Sequence, residues 1–399
     1  STLRHTLFPY PTLFRSRTAA APSAHGMIAN GLYHRALRKP LFWEQAAAQV
    51  EGRRWWDGFR DDGGTIGILF WQQSLGERAD VVLSPAPIHK HHGGMIQDCY
   101  SLPRGLYDRL RTTLKRPFNL HRYWGPMASE ASSQWIAEAV AALLREGDAP
   151  DVCLAYLPGL DYNLQRYGPD DKRSARSLGR VLAQIDLVTR AATEAGYAML
   201  IFGDYAIAPC PGGAVFPNRA LHAAGLMDVR EVKGRAYPDL YASRAFAVVD
   251  HEVGHVYIHS ADDIDAARRA LAAVDGIERV LDRDDRKAWG VDHPNAGELV
   301  IVASEGHWLA YPWWTDPRRE PDYARHVDIH NKPGFDPCEL FFGWPPMSVG
   351  RDTTRIRGSH GRTGPGREVA WAACGFEPAD DPTTLIELAS SIEPWLTSS

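Results

Sequence analysis

Between residues 134 and 207, amphipathic segments alternate with apolar runs. The segment QWIAEAVAALLREGDAP (134–150) has apolar residues at helical spacing, and the apolar run that starts at Asp151 reads as a strand. A second amphipathic segment (174–196) leads into a second apolar run, YAMLIFGDYAI (197–207). Strands that alternate with helices predict a mostly parallel sheet flanked by helices, so the expected fold class is α/β.

An acidic residue follows each of these two predicted strands. Asp161 comes after the first strand, and Asp204 comes after the apolar core of the second. Because the carboxyl ends of parallel strands meet at one edge of a sheet, where open α/β sheets bind ligands, we expect the two carboxylates to lie close together. The alternative for Asp161 is a structural role as the cap of the following helix, and Asp204 has a similar structural alternative.

The stretch VVDHEVGHVYIH (248–259) contains His251, Glu252 and His255 in the H-E-x-x-H pattern of zinc proteases. The pattern works on a helix, where two imidazoles one turn apart share a zinc ion. The β-branched residues and Gly254 favour a strand instead, and a strand separates the two histidines by roughly 13 Å. We therefore predict a strand that leads into a new helix, and a zinc protease stays only as an alternative function.

The segment between about residues 243 and 302 has the order strand, helix, strand, strand. This order predicts a small α+β insertion packed on the main sheet. The remainder of residues 18–399 is expected to form one domain around the parallel sheet.

Composition excludes several classes of protein. The 399 residues are 44% hydrophobic, enough for a large core, and the net charge of -5 offers no basic surface for a nucleic-acid polymer. The five cysteines are scattered and form no C-x-x-C pair, which argues against a disulfide framework and suits a reducing cytoplasm. The chain has no apolar run of about eighteen residues, so we expect no membrane span.

Four stretches together resemble the alkaline phosphatase superfamily, specifically its type I phosphodiesterase/nucleotide pyrophosphatase branch. They are PSAHGMIANG (22–31), LPGLDYNLQRYGPD (157–170), LIFGDYAI (200–207) and RGSHGR (357–362). The resemblance implies an alkaline-phosphatase-like α/β fold and a hydrolase of phosphodiester or nucleotide pyrophosphate bonds, with a small phosphorylated substrate. It also implies two divalent metal ions, usually zinc, that clamp a phosphoryl group while a Thr or Ser hydroxyl attacks phosphorus.

The resemblance assigns the metal ligands one by one. Asp161, Asp204 and His360 match ligand positions, whereas Gln165 and Tyr205 stand where the family has histidines. Because a glutamine oxygen suits harder ions than zinc, the implied metal becomes Mn²⁺ or Mg²⁺, or one site is weak. Gln165 and Tyr205 are then expected beside the metal. The alternative for His360 is an exposed side chain in a basic loop.

The resemblance also points to residues that contact the substrate. His25 and Asn30 lie in the stretch that follows the family's nucleophile helix, which often lines the site. In VDIHNKPGFDP (327–337), His330 and Lys332 are candidates for contact with a substrate phosphate. A structural loop is the equally open alternative for this last segment.

The start of the chain departs from the family pattern. The family's nucleophile position, counted back from His25, falls on Pro9, which has no hydroxyl. Moreover, RHTLFPYPTLFRSR (4–17) resembles a translated sequencing adapter, so we expect residues 1–17 to be non-native. The natural protein would then supply an upstream Asp ligand and the Thr or Ser nucleophile. The alternative is an inactive family member that binds a phosphorylated ligand.

Overall fold

The computed structural model describes residues 2–3, 12–91, 94–378 and 380–398. Pro9 and most of the segment expected to be non-native lie outside these residues. Within that segment, Phe14, Arg15 and Arg17 are buried, and the Arg17 guanidinium donates a 2.8 Å hydrogen bond to the carbonyl oxygen of Gln73.

The helices and strands of the described residues alternate through much of the chain. The α-helices are α1 (Thr12–Thr18), α2 (Pro22–His25), α3 (Asp57–Asp61), α4 (Leu106–Thr113), α5 (Ala131–Leu144), α6 (Gly159–Tyr167), α7 (Lys172–Glu194), α8 (Pro217–Ala223), α9 (Ile264–Ala272), α10 (Arg283–Ala288), α11 (Leu385–Ser390) and α12 (Ile392–Ser398). The strands are β1 (Thr2–Leu3), β2 (Gly31–His34), β3 (Lys39–Phe42), β4 (Ile66–Leu69), β5 (Val81–Pro85), β6 (Ile88–His89), β7 (Met95–Ile96), β8 (Cys99–Leu102), β9 (Val152–Ala155), β10 (Met199–Phe202), β11 (Ala208–Pro209), β12 (Gly213–Val215), β13 (Val229–Val232), β14 (Arg235–Pro238), β15 (Ala245–Asp250), β16 (Val253–Ile258), β17 (Ile277–Leu281), β18 (Leu299–Ala303), β19 (His307–Leu309), β20 (Gly358–Ser359) and β21 (Val369–Cys374).

The first main sheet has the strand order β8-β5-β4-β9. β4 is parallel to both β5 and β9, and β8 closes one edge in the antiparallel direction. The apolar face of α5 packs on this sheet, where Ile136 and Leu143 join Leu69 and Leu83 in one buried cluster. The fully apolar strand β4 needs a cover on its faces, and α5 provides one. A mostly parallel sheet covered by helices confirms the predicted α/β class.

A second, antiparallel sheet has the order β1-β21-β10 and continues the layer of the first. On one face of this layer Leu154 of β9 and Phe202 of β10 belong to one core cluster, and on the other face Cys153 and Met199 share another. Beyond the strands, the Tyr197 hydroxyl donates to the carbonyl oxygen of Pro150. β9 and β10 thus contribute to the same two core clusters, although they do not pair with each other within the described residues.

A third sheet, antiparallel, has the order β15-β16-β18-β17 and is buried throughout β15, β16 and β18. The expected single strand at 248–258 is wrong in one respect, because the chain turns at His251 and Glu252 and forms a β-hairpin. His251 adopts a positive φ of 57°, the backbone conformation that tight two-residue hairpin turns require. The helix expected after this stretch is confirmed, and the Ser260 side chain accepts a hydrogen bond from the Asp262 amide at 3.3 Å.

Candidate active site

Asp161 lies in the first turn of α6, just beyond the end of β9. Its Oδ2 accepts a 2.6 Å hydrogen bond from the Gln165 amide, and its Oδ1 accepts one of 3.1 Å from the Tyr205 hydroxyl. Burial raises the pKa of Asp161 to about 6, although both of these hydrogen bonds favour the charged form. Asp161 does not cap α6, whose N-cap residue is Pro158, so the structural alternative for this residue is wrong.

Asp204 lies just beyond the end of β10 and close to Asp161. Its Oδ1 accepts a hydrogen bond from the Tyr205 amide at 3.1 Å, whereas its buried Oδ2 has no hydrogen-bond partner among the described residues. Burial raises the pKa of Asp204 to about 7, and the charge of Asp161 adds to this effect. Two carboxylates that repel each other therefore lie just beyond the ends of β9 and β10.

His360 follows β20 and brings a third predicted ligand to the same place. Its ring stacks on the Tyr205 ring with 3.7 Å between centroids, and its other neighbour is the His251 ring, also at 3.7 Å. His251 in turn stacks on Phe335 at 3.7 Å. Burial lowers the pKa of His360 well below its usual range, so the imidazole is neutral at neutral pH, the form that binds metal. His360 is 1% exposed, so its alternative as an exposed loop residue is wrong.

The turn of the β15–β16 hairpin holds the His360 loop. The Glu252 amide donates a 2.9 Å hydrogen bond to the His360 carbonyl oxygen, and the Glu252 carboxylate accepts bonds from the Arg362 amide at 2.8 Å and from the Arg367 guanidinium at 3.0 Å. Glu252 is fully buried, and its charge is balanced by Arg367. This turn therefore fixes where His360 lies.

The same turn rules out the protease geometry. His251 sits in the turn and His255 lies within β16, where its Nδ1 accepts a hydrogen bond from the Gly297 amide at 3.3 Å. In a zinc protease the glutamate of the pattern activates water, but here the Glu252 carboxylate accepts hydrogen bonds from the Arg362 amide and the Arg367 guanidinium. Without a helix to align them, the three side chains do not form the protease site.

The stretch that contains His25 and Asn30 packs beside the hairpin turn. The Asn30 amide donates a 2.8 Å hydrogen bond to Oδ2 of Asp250, whose pKa burial raises to about 7. His25 is fully buried, and its Nδ1 accepts from the Met27 amide at 3.2 Å. Asn30 thus contacts Asp250, which precedes His251 in the chain.

His330 and Lys332 lie in different surroundings. The buried Lys332 ammonium donates to Asp336 at 2.9 Å and to Glu339 at 2.7 Å. Burial alone would lower its pKa, but these two carboxylates raise it. The half-buried His330 ring makes an edge contact with His89, with 5.5 Å between centroids. The contacts of Lys332 favour the structural alternative for this loop.

The donors at the site suit a hard divalent cation. Asp161 and Asp204 offer carboxylate oxygens, and the buried Oε1 of Gln165 has no hydrogen-bond partner among the described residues. Such oxygens are the ligands that Mg²⁺ and Mn²⁺ prefer. The coordination shell is incomplete, however, because residues 12–91, 94–378 and 380–398 contain no group of three or more His, Cys, Asp or Glu side chains placed to hold an ion.

The sequence pointed to only part of this site. His251 and Glu252 stood out through the protease pattern, but their contacts with His360 depend on a hairpin turn whose only sign in the sequence is the polar triplet Asp250-His251-Glu252. Phe335 belongs to a segment considered for its charged residues, and its contact with His251 depends on the tertiary fold. A non-glycine residue at positive φ beside candidate ligands is the structural signal that marks His251.

Comparisons with known proteins identify the family and the fold. A model of the type I phosphodiesterase/nucleotide pyrophosphatase family matches residues 16–336. No curated protein sequence is significantly similar to the chain. None of the described helices has the length and apolarity that a membrane crossing requires.

Solved structures share the fold at low sequence identity. Phosphonoacetate hydrolase from Sinorhizobium meliloti 1021, in complex with phosphonoformate, is 16% identical, with a TM-score of 0.62 over 99% of this chain and 87% of that one. Murine ectonucleotide pyrophosphatase/phosphodiesterase 5 is 12% identical, with a TM-score of 0.54 over 99% of this chain and 87% of that one. The human protein of the same name is 13% identical, with a TM-score of 0.57 over 99% of this chain and 86% of that one.

Proposed function

The chain belongs to the type I phosphodiesterase/nucleotide pyrophosphatase family, and we propose that it is a metal-dependent hydrolase in which Asp161, Asp204 and His360 contribute ligands to a divalent cation, together with ligands that the described residues do not supply. The observation that carries this proposal is the pair of buried carboxylates at the ends of β9 and β10: neither forms an ion pair within the described residues, and burial raises both pKa values. Arg166 lowers the pKa of Asp161, but its guanidinium donates to the carbonyl oxygens of Ala128 and Leu340.

The surrounding side chains prepare these ligands. The Gln165 amide and the Tyr205 hydroxyl each bind one oxygen of Asp161 and fix its orientation. Stacking between Tyr205 and the neutral His360 keeps the imidazole beside the carboxylates. A bound divalent cation supplies positive charge that stabilises the charge developing on a phosphoryl group. The donor set favours Mn²⁺ or Mg²⁺ over zinc.

The gap between β9 and β10 supports an additional strand in the complete protein. β9 pairs only with β4, and β10 pairs only with β21, within the described residues. The facing edges therefore leave peptide groups unpaired in the middle of a layer, where sheets normally pair them. Although their residues are apolar, three of the four in β9 and all of those in β10 are half-buried, as expected beside an open slot.

We propose that this slot receives a strand encoded before Thr12 in the natural gene. In the family, an early strand supplies an Asp ligand, and the Thr or Ser nucleophile follows it. A strand between β9 and β10 would end beside Asp161 and Asp204, because all three strand ends would lie at one edge of the layer. Such a strand would complete the coordination that the described residues leave incomplete.

The test begins with the source gene, sequenced through and upstream of the codons for residues 1–17. Protein made from that gene is assayed for hydrolysis of bis(p-nitrophenyl) phosphate with Mn²⁺, Mg²⁺ or Zn²⁺, beside the 399-residue chain. The proposal expects an Asp-bearing strand, a Thr or Ser before His25, and turnover only in the longer protein. If the source gene confirms residues 1–17 and neither protein turns over, the binding function without catalysis replaces the hydrolase.

The role of the ligands is tested in whichever protein is active. Asp204→Asn removes one charge while preserving shape, so we expect a loss of metal-dependent turnover of 100-fold or more. Asp316→Asn, an acidic residue that pairs with the exposed Arg318, is the matched control. Unchanged turnover in Asp204→Asn would contradict the assigned metal site.

A further inference from the structure

A cavity of about 690 Å³ lies behind the candidate active site. Its wall is formed mainly by residues 308–355, together with Phe216 and Arg219 near the start of α8. Phe335 separates the two regions, since it lines the cavity and its ring also stacks on His251. The cavity contains none of the residues proposed to bind metal, so it is a distinct place in the fold.

The wall of the cavity carries an excess of positive charge. Four arginines contribute to it, namely Arg219, Arg325, Arg351 and Arg355. Arg325 and Arg351 share the carboxylate of the buried Glu320. One carboxylate therefore balances two guanidinium groups.

Arg219 and Arg355 form no ion pair with any acidic residue that the structure describes. The Arg219 guanidinium lies 3.7 Å from the Phe216 ring centroid, and its Nε donates a 3.0 Å hydrogen bond to the carbonyl oxygen of Trp314. The Arg355 guanidinium lies 4.0 Å from the Phe341 ring centroid, and its Nη1 donates a 3.5 Å hydrogen bond to the carbonyl oxygen of Phe342. Stacking on a ring holds a guanidinium in place, and the N–H groups that these two bonds do not use remain for an anion.

The wall also holds two further carboxylates, which leaves four guanidinium groups against three carboxylates, but neither of these two forms an ion pair with Arg219 or Arg355 within the described residues. Asp336 is paired with Lys332, and Asp352 accepts hydrogen bonds from the amide and hydroxyl of Thr354. The segment 353–355 packs against β12, the strand that leads to Phe216 and Arg219. The unpaired arginines therefore belong to neighbouring elements of one wall.

We propose that this cavity binds a small molecule that carries an anionic group on an aromatic ring system. The anion, a phosphate or a carboxylate, meets the unpaired guanidinium groups of Arg219 and Arg355. The ring packs on the aromatic part of the wall, which includes Phe216 and Trp314. Binding here needs neither a metal ion nor the carboxylates of the candidate active site.

The test is titration calorimetry on the 399-residue chain in EDTA, with AMP as the probe because it joins a phosphate dianion to a purine. Adenosine has the ring without the charge, and inorganic phosphate has the charge without the ring. We expect AMP to bind at least tenfold more tightly than either compound. Benzoate is the carboxylate probe, and the absence of binding by both AMP and benzoate up to millimolar concentration overturns the proposal.

Variants locate the binding within the chain. Arg219→Met and Arg355→Met should each weaken AMP binding at least tenfold, whereas Arg318→Met, which alters an exposed arginine paired with Asp316, should leave it unchanged. Arg355 is exposed, so its substitution tests the idea even if Arg219→Met fails to fold. Equal affinities in wild type and Arg355→Met contradict the proposal.

A last variant separates this inference from the proposed function. Asp204→Asn should bind AMP in EDTA as wild type does, because Asp204 does not line the cavity. If Asp204→Asn changes AMP affinity while Arg355→Met does not, the nucleotide occupies the candidate active site and the cavity proposal fails. If AMP binds as expected but no protein hydrolyses a phosphodiester, the cavity proposal stands and the hydrolase fails.

Discussion

Two groups of buried charges in this protein differ in how they are balanced. Around Lys332, one ammonium contacts the carboxylates of both Asp336 and Glu339, so each carboxylate has a cationic partner, although burial still raises the pKa of Glu339. At the ends of β9 and β10, Asp161 and Asp204 face each other without a paired cation, and burial raises both pKa values. The first group is complete as a structural element, whereas the second is the place where we propose that a divalent cation binds.

This difference separates structural from functional residues more sharply than residue type does. Lys332 and Asp161 both stood out in the sequence as candidates for phosphate chemistry. The lysine is 2% exposed and its ammonium is committed to two carboxylates, so it contributes to the loop that holds Phe335. The aspartate has hydrogen bonds that keep it charged but no counter-ion, which is the arrangement expected of a ligand.

The largest expected change in stability comes from removing the ammonium group of Lys332. Lys332→Met leaves Asp336 and Glu339 buried without a counter-charge, so the free energy of unfolding at pH 7 should fall by about 3–5 kcal/mol. Urea denaturation measures this change. Lys39→Met, which alters an exposed lysine on β3, should change stability by less than about 0.5 kcal/mol. Similar stabilities for both variants would show that the Lys332 group is not a balanced structural cluster.

For the group of Asp161 and Asp204 we expect the opposite effect, a gain in stability when a charge is removed. In metal-free protein, Asp204→Asn removes a charge that burial disfavours, so stability at pH 8 should rise by about 2–4 kcal/mol, given about 1.36 kcal/mol per unit of pKa shift. The pKa of Asp204 is raised from 3.8 to about 7, so its ionisation costs stability progressively as pH rises between these values. The gain from Asp204→Asn should therefore shrink toward pH 4. A loss of stability at pH 8 would contradict the comparison.

The sequence predicted the main architecture because it depends on local patterns. Alternating apolar and amphipathic segments identified α5, β9, α7 and β10, and the family motifs placed Asp161, Asp204 and His360 at one site. The hairpin turn at His251 was missed because β15 and β16 are buried on every residue and the only break between them, Asp250-His251-Glu252, lacks the Asn-Gly or Asp-Gly pair that usually marks a two-residue turn. Pairings such as Glu252 with Arg367 join residues far apart in the chain and have no local signal.

Glu252 and Arg367 form a third arrangement, a buried ion pair beside the candidate metal ligands. Glu252→Gln keeps the shape of the side chain but removes the charge opposite Arg367, so the free energy of unfolding should fall by about 2 kcal/mol. The exposed Glu305→Gln is the matched control. In the complete protein, Glu252→Gln should also weaken metal affinity about tenfold or more, because its contacts position His360. Normal metal affinity together with reduced stability would restrict Glu252 to a structural role.

The smallest expected change in stability is the one caused by adding a metal ion, and it tests directly whether an ion binds at Asp161 and Asp204. If Asp161 and Asp204 bind Mn²⁺, then Mn²⁺ at ten times its dissociation constant should raise the free energy of unfolding by about 1.4 kcal/mol. Protons and the cation compete for the same two carboxylates. At one fixed Mn²⁺ concentration, the gain in the free energy of unfolding should therefore be larger at pH 8 than at pH 5. Thermal unfolding with and without Mn²⁺ at both pH values measures this gain, and Asp204→Asn provides the background from other sites. An equal gain in wild type and Asp204→Asn would mean that the ion binds elsewhere, and the carboxylates would then be unbalanced without being ligands.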